Sequence, residues 1–294
     1  MHASIAILTG GTSSEREIAL QSAATVQESL LPFFEITMFD FPNDIDAFLS
    51  NRKTFSAVVP VFHGKGGEDG TIQGFLKTLG APFIFSDVEA HAVAMNKAVT
   101  KQLVERVGIQ TPPSQIVRSF EEITLKAPFV LKPIDEGSSV GVQIIRADET
   151  VVLTHPTLVE AYISGREFTV PVIDRAGKCE ALPVIEIKSK KTFFDFESKY
   201  DPNLVDEICP AQIDVTLADR LKQIAMLAHK TIGARHLSRT DMIVDEQNEI
   251  WFLEINTIPG LTKNSLVPKA LRAAGIDFGA LLNEWISSVQ TNEV

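Results

Sequence analysis

Four side chains in the last fifth of the sequence have the types and spacing to hold a hard cation. Arg239 and Asp241 lie two residues apart in the run 238–244, and Glu254 and Asn256 lie two apart in the run 249–256. Both runs read as strands joined by polar residues, which predicts a hairpin. A period of two puts each pair on one face. With the turn centred between Gln247 and Asn248, Asp241 falls opposite Glu254 and Arg239 opposite Asn256. Like charges so opposed, with β-carbons about 5 Å apart, cost stability unless a cation lies between them. Carboxylates and an amide oxygen suit Mg²⁺, which usually takes one or two carboxylates plus phosphate oxygens and water, so phosphate chemistry is expected. The plainer alternative is an exposed strand face on which the arginine neutralises both acids.

A second candidate is Lys132, which ends an apolar run at Phe129-Val130-Leu131 and precedes the loop Glu136-Gly137-Ser138-Ser139-Val140-Gly141. The glycines let backbone amides approach an anion, the serines add donors and the lysine adds a point charge. An ordinary hairpin turn has the same composition. The two established phosphate-loop patterns, G-x-x-x-x-G-K-[ST] and G-x-G-x-x-G after the first strand, are absent. Near the N-terminus, Ser14 is placed to cap a helix with Glu17 as reciprocal partner, and Glu15 sits where the helix dipole favours negative charge. The functional alternative has Glu15 and His63, each following a strand, converge on a substrate at the carboxyl ends of a parallel sheet. An ammonium group would suit Glu15.

The elements that must position these residues follow from hydrophobic pattern. Residues 5–8 and 57–62 are apolar runs closed by glycine loops and followed by helical patterns at 15–31 and 72–79, which predicts a parallel sheet. Residues 89–107 read as one helix, ended at Thr111-Pro112-Pro113. Strands at 129–131, 142–145, 158–163 and 168–173 make a small middle module, and a helix at 218–232 precedes the hairpin. A loop at 188–211, rich in charge and aromatics, is long enough to close over something. The fold class is α/β with α+β modules, divided at 1–95, 96–175 and 176–294.

Composition sets the bounds. A chain of 294 residues, 45% hydrophobic, can bury more than one core. A net charge of −11 without a basic run argues against nucleic acid as partner. Cys179 and Cys209 are too sparse for a disulfide framework or a zinc site, and fit a reduced cytosolic setting. No basic leader precedes an apolar stretch and no run of about eighteen apolar residues occurs, so neither an export signal nor a membrane span is expected.

Four segments carry a family likeness: Gly10-Gly11-Thr12-Ser13-Ser14-Glu15-Arg16-Glu17, His63-Gly64-Lys65-Gly66-Gly67-Glu68-Asp69-Gly70, Phe194-Asp195-Phe196-Glu197-Ser198-Lys199-Tyr200, and Glu254-Ile255-Asn256-Thr257-Ile258-Pro259-Gly260-Leu261-Thr262. In this order and spacing they resemble the D-alanine–D-alanine ligases of the ATP-grasp superfamily, over nearly the whole chain. The resemblance implies an N-terminal parallel-sheet domain and two α+β domains that enclose ATP with Mg²⁺ or Mn²⁺, as two ions. Lys97, Lys132 and Ser139 would hold the phosphates, Glu160 with the backbone of Ala161, Tyr162 and Ile163 the adenine, and Glu167 the ribose. Asp241, Glu254 and Asn256 would be the metal ligands.

On the substrate side the same match gives Glu15 to the ammonium of the first D-alanine with His63 nearby, and Ser265 and Leu266 to the second carboxylate. Lys199 lies with the substrate residues, while Ser138 and Tyr200 complete a link to Glu15. Arg239 and the amide of Gly260 would steady the oxyanion. The implied reaction passes through a D-alanyl phosphate and makes the dipeptide for peptidoglycan precursors, in the cytoplasm, by a homodimer. The 188–211 loop would exclude water. Tyr200 points to an amine as second substrate. Departures from the family are Phe194 and Phe196 for tyrosines, Ala161 for a lysine and Asn264 for a histidine, and the link from Gly141 to Glu160 is too short for one helix of the middle module. Another ATP-grasp carboxylate ligase and a non-catalytic nucleotide-binding protein are the alternatives.

Overall fold

The structure is a computed structural model, and it describes residues 3–137, 140–147, 149–189 and 205–290. Its first part alternates strand and helix: β1 (Ser4–Gly10), α1 (Arg16–Leu30), β2 (Glu35–Phe41), α2 (Ile45–Asn51), β3 (Ala57–Pro60), α3 (Thr71–Thr78) and α4 (Val88–Met95). The three strands form a parallel sheet in the order β2-β1-β3. β1 is apolar without alternation because both its faces are covered. Ile5 and Ile7 pack with Val26 and Leu30 of α1 and with Trp285 and Ile286 near the C-terminus, while Ala6 and Leu8 pack on a phenylalanine cluster that includes Phe39, Phe41, Phe48 and Phe62. Hydrophobic pattern does not predict β2, an edge strand whose Glu35, Thr37 and Asp40 interrupt the apolar residues. The expected cap at Ser14 does not form. α1 begins at Arg16 with Glu15 in the cap position and no side-chain cap bond. Ser13 does the local work instead, its hydroxyl accepting from Glu15 N–H at 3.2 Å and donating to the His63 carbonyl at 2.6 Å.

The single helix expected at 89–107 is two, α4 and α5 (Lys97–Arg106). Asn96 between them has extended backbone, and its side-chain oxygen accepts from Val99 N–H at 3.1 Å, so an N-cap interrupts an otherwise continuous helical pattern. The break makes Lys97 the first residue of α5.

The middle sheet is antiparallel: β4 (Ser114–Val117), β5 (Phe129–Pro133), β6 (Gln143–Ile145) and β7 (Thr157–Ala161), in the order β4-β7-β5-β6. Val117, Phe129, Leu131, Ile145 and Val159 form its core. Among the described residues of 146–156 no helix occurs, in line with the shortened link.

The last sheet holds β8 (Gly165–Arg175), β9 (Lys178–Ala181), β10 (Ile185–Ser189), β11 (Val205–Ile208), β12 (Leu237–Asp245) and β13 (Ile250–Asn256), in the order β11-β10-β8-β12-β13 with β9 also on β8. Helix α6 (Val215–Thr231) covers one face, and α7 (Leu266–Ala273) and α8 (Phe278–Gln290) follow. The strand expected at 168–173 in the middle module lies instead in β8, central to this sheet, with Phe168 to Ile173 all buried between β10 and β12. The loop expected at 188–211 is narrower, because its two ends pair as β10 and β11. Residues 190–204, with Phe194, Phe196, Lys199 and Tyr200, lie outside the described residues.

Candidate active site

The hairpin of β12 and β13 has the expected register where it matters: Arg239 faces Asn256 and Asp241 faces Glu254. Nearer the turn the register differs by one, Val244 facing Ile250 and Asp245 N–H donating to Glu249 O at 3.0 Å, so the turn centres on Gln247. A bulge after Asp241, with Leu253 as the extra residue, makes up the difference.

The opposed carboxylates are each matched by a cation from the chain. Arg239, 4% exposed, grips Asp241 with two bonds, Nε to Oδ1 at 2.9 Å and Nη2 to Oδ2 at 2.7 Å. Burial disfavours the guanidinium charge, but Asp241, Glu254 and Glu68 outweigh it and hold its pKa above the ordinary value. The Thr169 hydroxyl donates to Asp241 Oδ1 at 2.5 Å. Lys97 Nζ lies 3.6 Å from Glu254 Oε2 and donates to the Glu136 carbonyl of the middle module. Asn256 Oδ1 accepts from Ile258 N–H at 2.9 Å. Each carboxylate or amide oxygen has two lone pairs, so Asp241 Oδ2 and Asn256 Oδ1 each retain one for a hard cation. This donor set fits Mg²⁺ or Mn²⁺.

A cavity of about 670 Å³ opens between the middle and last sheets, within the size range of small-ligand sites. Lys97, Lys132, Glu160, Ala161, Tyr162, Ile163 and Glu167 line it, together with Arg239, Asp241, Glu254 and Leu266. Glu160, 1% exposed, lies between two ammonium groups, Lys132 Nζ at 2.7 Å and Lys101 Nζ at 2.9 Å. Burial would raise its pKa, yet the two lysines win and lower it. For Lys132 burial is likewise overcome, by Glu160, Glu254 and Glu167, and its pKa rises. For Lys101 burial dominates, with Lys132 adding to it, and its pKa falls. Of these two lysines only Lys132 lines the cavity, where it can meet an anionic phosphate.

Where β1 and β3 end, a second set converges. Glu15 is buried, and its Oε2 would stand 3.2 Å from a Cβ added at Gly64 and 3.1 Å from one added at Gly137, so two loops close on this carboxylate. Gly64 has a φ of +74°, which favours glycine for a second reason. His63 Nε2 lies 3.1 Å from Ser22 Oγ, which accepts from Leu261 N–H at 3.3 Å. Gly260 packs against Ser265, whose Oγ is 2.9 Å from where a Cβ would be, and Ser265 precedes α7 as its N-cap residue with Leu266 first in the helix.

The chain as a whole is similar to known proteins. The family model described as D-ala D-ala ligase C-terminus matches residues 97–287. A D-alanine–D-alanine ligase of Alcanivorax borkumensis is 38% identical over 290 residues, spanning 95% of this chain and 92% of its own. The chain belongs to the D-alanine–D-alanine ligase family. Among solved structures similar to this ligase-family chain, the D-alanine–D-alanine ligase of Bacillus anthracis complexed with ATP has a TM-score of 0.81 at 26% identity, covering 99% of this chain and 100% of that one. The VanG D-Ala:D-Ser ligase of Enterococcus faecalis has a TM-score of 0.82 at 27% identity, with coverage of 99% and 100%. The ATP-grasp fold class is thereby established for this member of the ligase family.

Sequence reasoning misses several residues that the structure brings to this candidate site. Lys101 carries a signal, since it follows Lys97 by one helical turn and so shares its face. Thr169 and Ser22 have none, because their roles arise from pairing distant in sequence. Ser138, Ser139, Lys199 and Tyr200 lie outside the described residues.

Proposed function

We infer that the chain joins two D-alanine molecules with cleavage of ATP, through a D-alanyl phosphate. The observation that carries this reading is the opposed pair Asp241 and Glu254, standing with Arg239, Lys97 and Lys132 around one cavity of nucleotide size. Lys97 and Lys132 hold the triphosphate. Glu160, with a lone pair left on each oxygen after its two lysines, accepts from the adenine amine, and Glu167 meets the ribose. Asp241, Glu254 and Asn256 would hold Mg²⁺ or Mn²⁺, as two ions, whose charge would offset that of the transferring phosphoryl group.

Glu15 receives the ammonium of the first D-alanine with His63 beside it, and Ser138 and Tyr200 extend that link. The second carboxylate sits at the N-terminus of α7, on Ser265 and the amide of Leu266, where helix dipole and free amides favour an anion. Arg239 commits Nε and Nη2 to Asp241, so Nη1 and the amide of Gly260 meet the developing oxyanion. Residues 1–95 carry the first substrate, and the middle module covers the nucleotide, with β8 counted to the last module. Lys199 and the rest of the 190–204 segment lie outside the described residues, and the resemblance gives them the role of shutting out water, which destroys an acyl phosphate.

ADP release measured over single D- and L-amino acids and D-hydroxy acids tests this. D-alanine should give the fastest turnover, and faster coupling of D-lactate or D-serine would overturn the choice of second substrate. Among the described residues no helix is long and apolar enough to cross a membrane. We place the enzyme in the cytoplasm as a homodimer that supplies peptidoglycan precursors, and sedimentation of the purified chain tests the dimer.

A further inference from the structure

On the side of the last sheet covered by α6, three side chains scattered in sequence meet. Asp174 and Cys179 occupy the same register position of the β8–β9 hairpin, and His229 comes from the last turn of α6. One ligand atom from each lies within 4.8 Å of the other two. His229 is 2% exposed, and its Nε2 is buried without a hydrogen-bond partner, 3.6 Å from Asp174 Oδ1. That separation is too long for a shared proton.

Both groups are aimed from behind. His229 Nδ1 lies 2.8 Å from Ser238 Oγ, and donation from Nδ1 to that hydroxyl turns the Nε2 lone pair toward Asp174 and Cys179. Asp174 Oδ2 accepts from His236 N–H at 2.7 Å, which leaves Oδ1 facing the histidine. In that tautomer two electron-rich atoms face each other beside a thiol, and a cation between them would satisfy all three. Gly177, Lys178, Lys230 and Ala234 complete the wall of a surface pocket around the three.

We propose that Asp174, Cys179 and His229 form a zinc site that clamps the β8–β9 hairpin to α6. A tetrahedron with arms of about 2.0–2.3 Å has edges of about 3.3–3.6 Å, so the histidine–aspartate pair already stands at an edge and only the cysteine must close in. Thiolate with imidazole selects zinc over the hard ions suited to the Asp241 site. On binding, the Cys179 thiol gives its proton to solvent and a sulfur–zinc bond forms. The carboxylate and thiolate then balance the two charges of the ion against Lys178 and Lys230 at the rim, and water takes the fourth position. Sequence spacing hides the site, because a strand, a hairpin partner and a helix about fifty residues on each give one ligand. It lies five strand residues from Thr169, roughly 17 Å along β8 and apart from the nucleotide cavity.

Cobalt(II) titration of the chelator-treated full chain tests this, since sulfur-to-cobalt charge-transfer absorption reports only on thiolate ligation. One equivalent should bind with that absorption, which Zn²⁺ then removes. Cys179→Ser should abolish the band, Cys209→Ser should keep it, and His229→Gln should weaken binding by about tenfold or more. Absence of the band, or its survival in Cys179→Ser, would overturn the proposal. Cys179 is only half-buried, so the decisive variant does not depend on a core substitution.

Discussion

Arg239 serves two partners with one planar fork, and the distinction between its charge and its geometry can be measured. Arg239→Lys keeps the charge but cannot bond Asp241 through two parallel donors while offering a third to the substrate. The expected result is a fall in kcat of about 10²- to 10³-fold with little change in KM for ATP, as when a donor to an oxyanion is lost. Lys132 works differently. It is largely buried against Glu160, so Lys132→Ala removes both a phosphate contact and the partner of a buried carboxylate. ATP binding, read by calorimetry, should be abolished, and an ordinary nucleotide affinity would contradict the placement of the triphosphate. The Glu160 carboxylate would still have Lys101, which keeps the variant foldable.

Secondary elements set the precision of these contacts. Asn96 decides where α5 begins, and so where Lys97 points. Asn96→Ala should cost about 1 kcal/mol in urea unfolding and raise the KM for ATP, while Asn96→Ser, which keeps a capping oxygen, should spare both. Much at this scale is legible in the sequence, since period-two alternation in 238–244 and 249–256 suffices to pair Asp241 with Glu254. Even there the agreement has a hidden cause: the turn centres on Gln247, and only the bulge at Leu253 returns the register at the site. Local pattern cannot announce a bulge, nor an edge strand such as β2 whose exposed face is polar. Residues 168–173 are legible as a strand but not as a member of the last sheet, because a fully buried apolar run carries no mark of its neighbours. The pair of lysines on Glu160 depends on side chains from α5, β5 and β7 meeting, which no single window contains.

At the scale of the whole molecule, the first and last parts of the chain are joined through buried histidines. His91 Nδ1 meets Thr257 Oγ1 at 2.6 Å, and His236 Nδ1 accepts from Phe85 N–H at 2.9 Å. Burial lowers the pKa of His91 to about 4 and that of His236 to about 3. Both are therefore neutral in the fold and protonate more readily once unfolded, so their stabilisation is complete above about pH 6.5 and declines as pH falls toward 4. At pH 5 each should contribute about 2 kcal/mol less than at pH 7.5. Thermal unfolding midpoints at the two pH values check this, and equal midpoints would refute it.

One ammonium group also reaches across the molecule. Lys97 opens a helix that follows the first module, donates to the Glu136 carbonyl of the middle one, and stands 3.6 Å from Glu254 of the last. An ammonium group carries three protons, so Lys97 can meet a phosphate while keeping the Glu136 carbonyl, and one side chain then ties all three modules to the nucleotide.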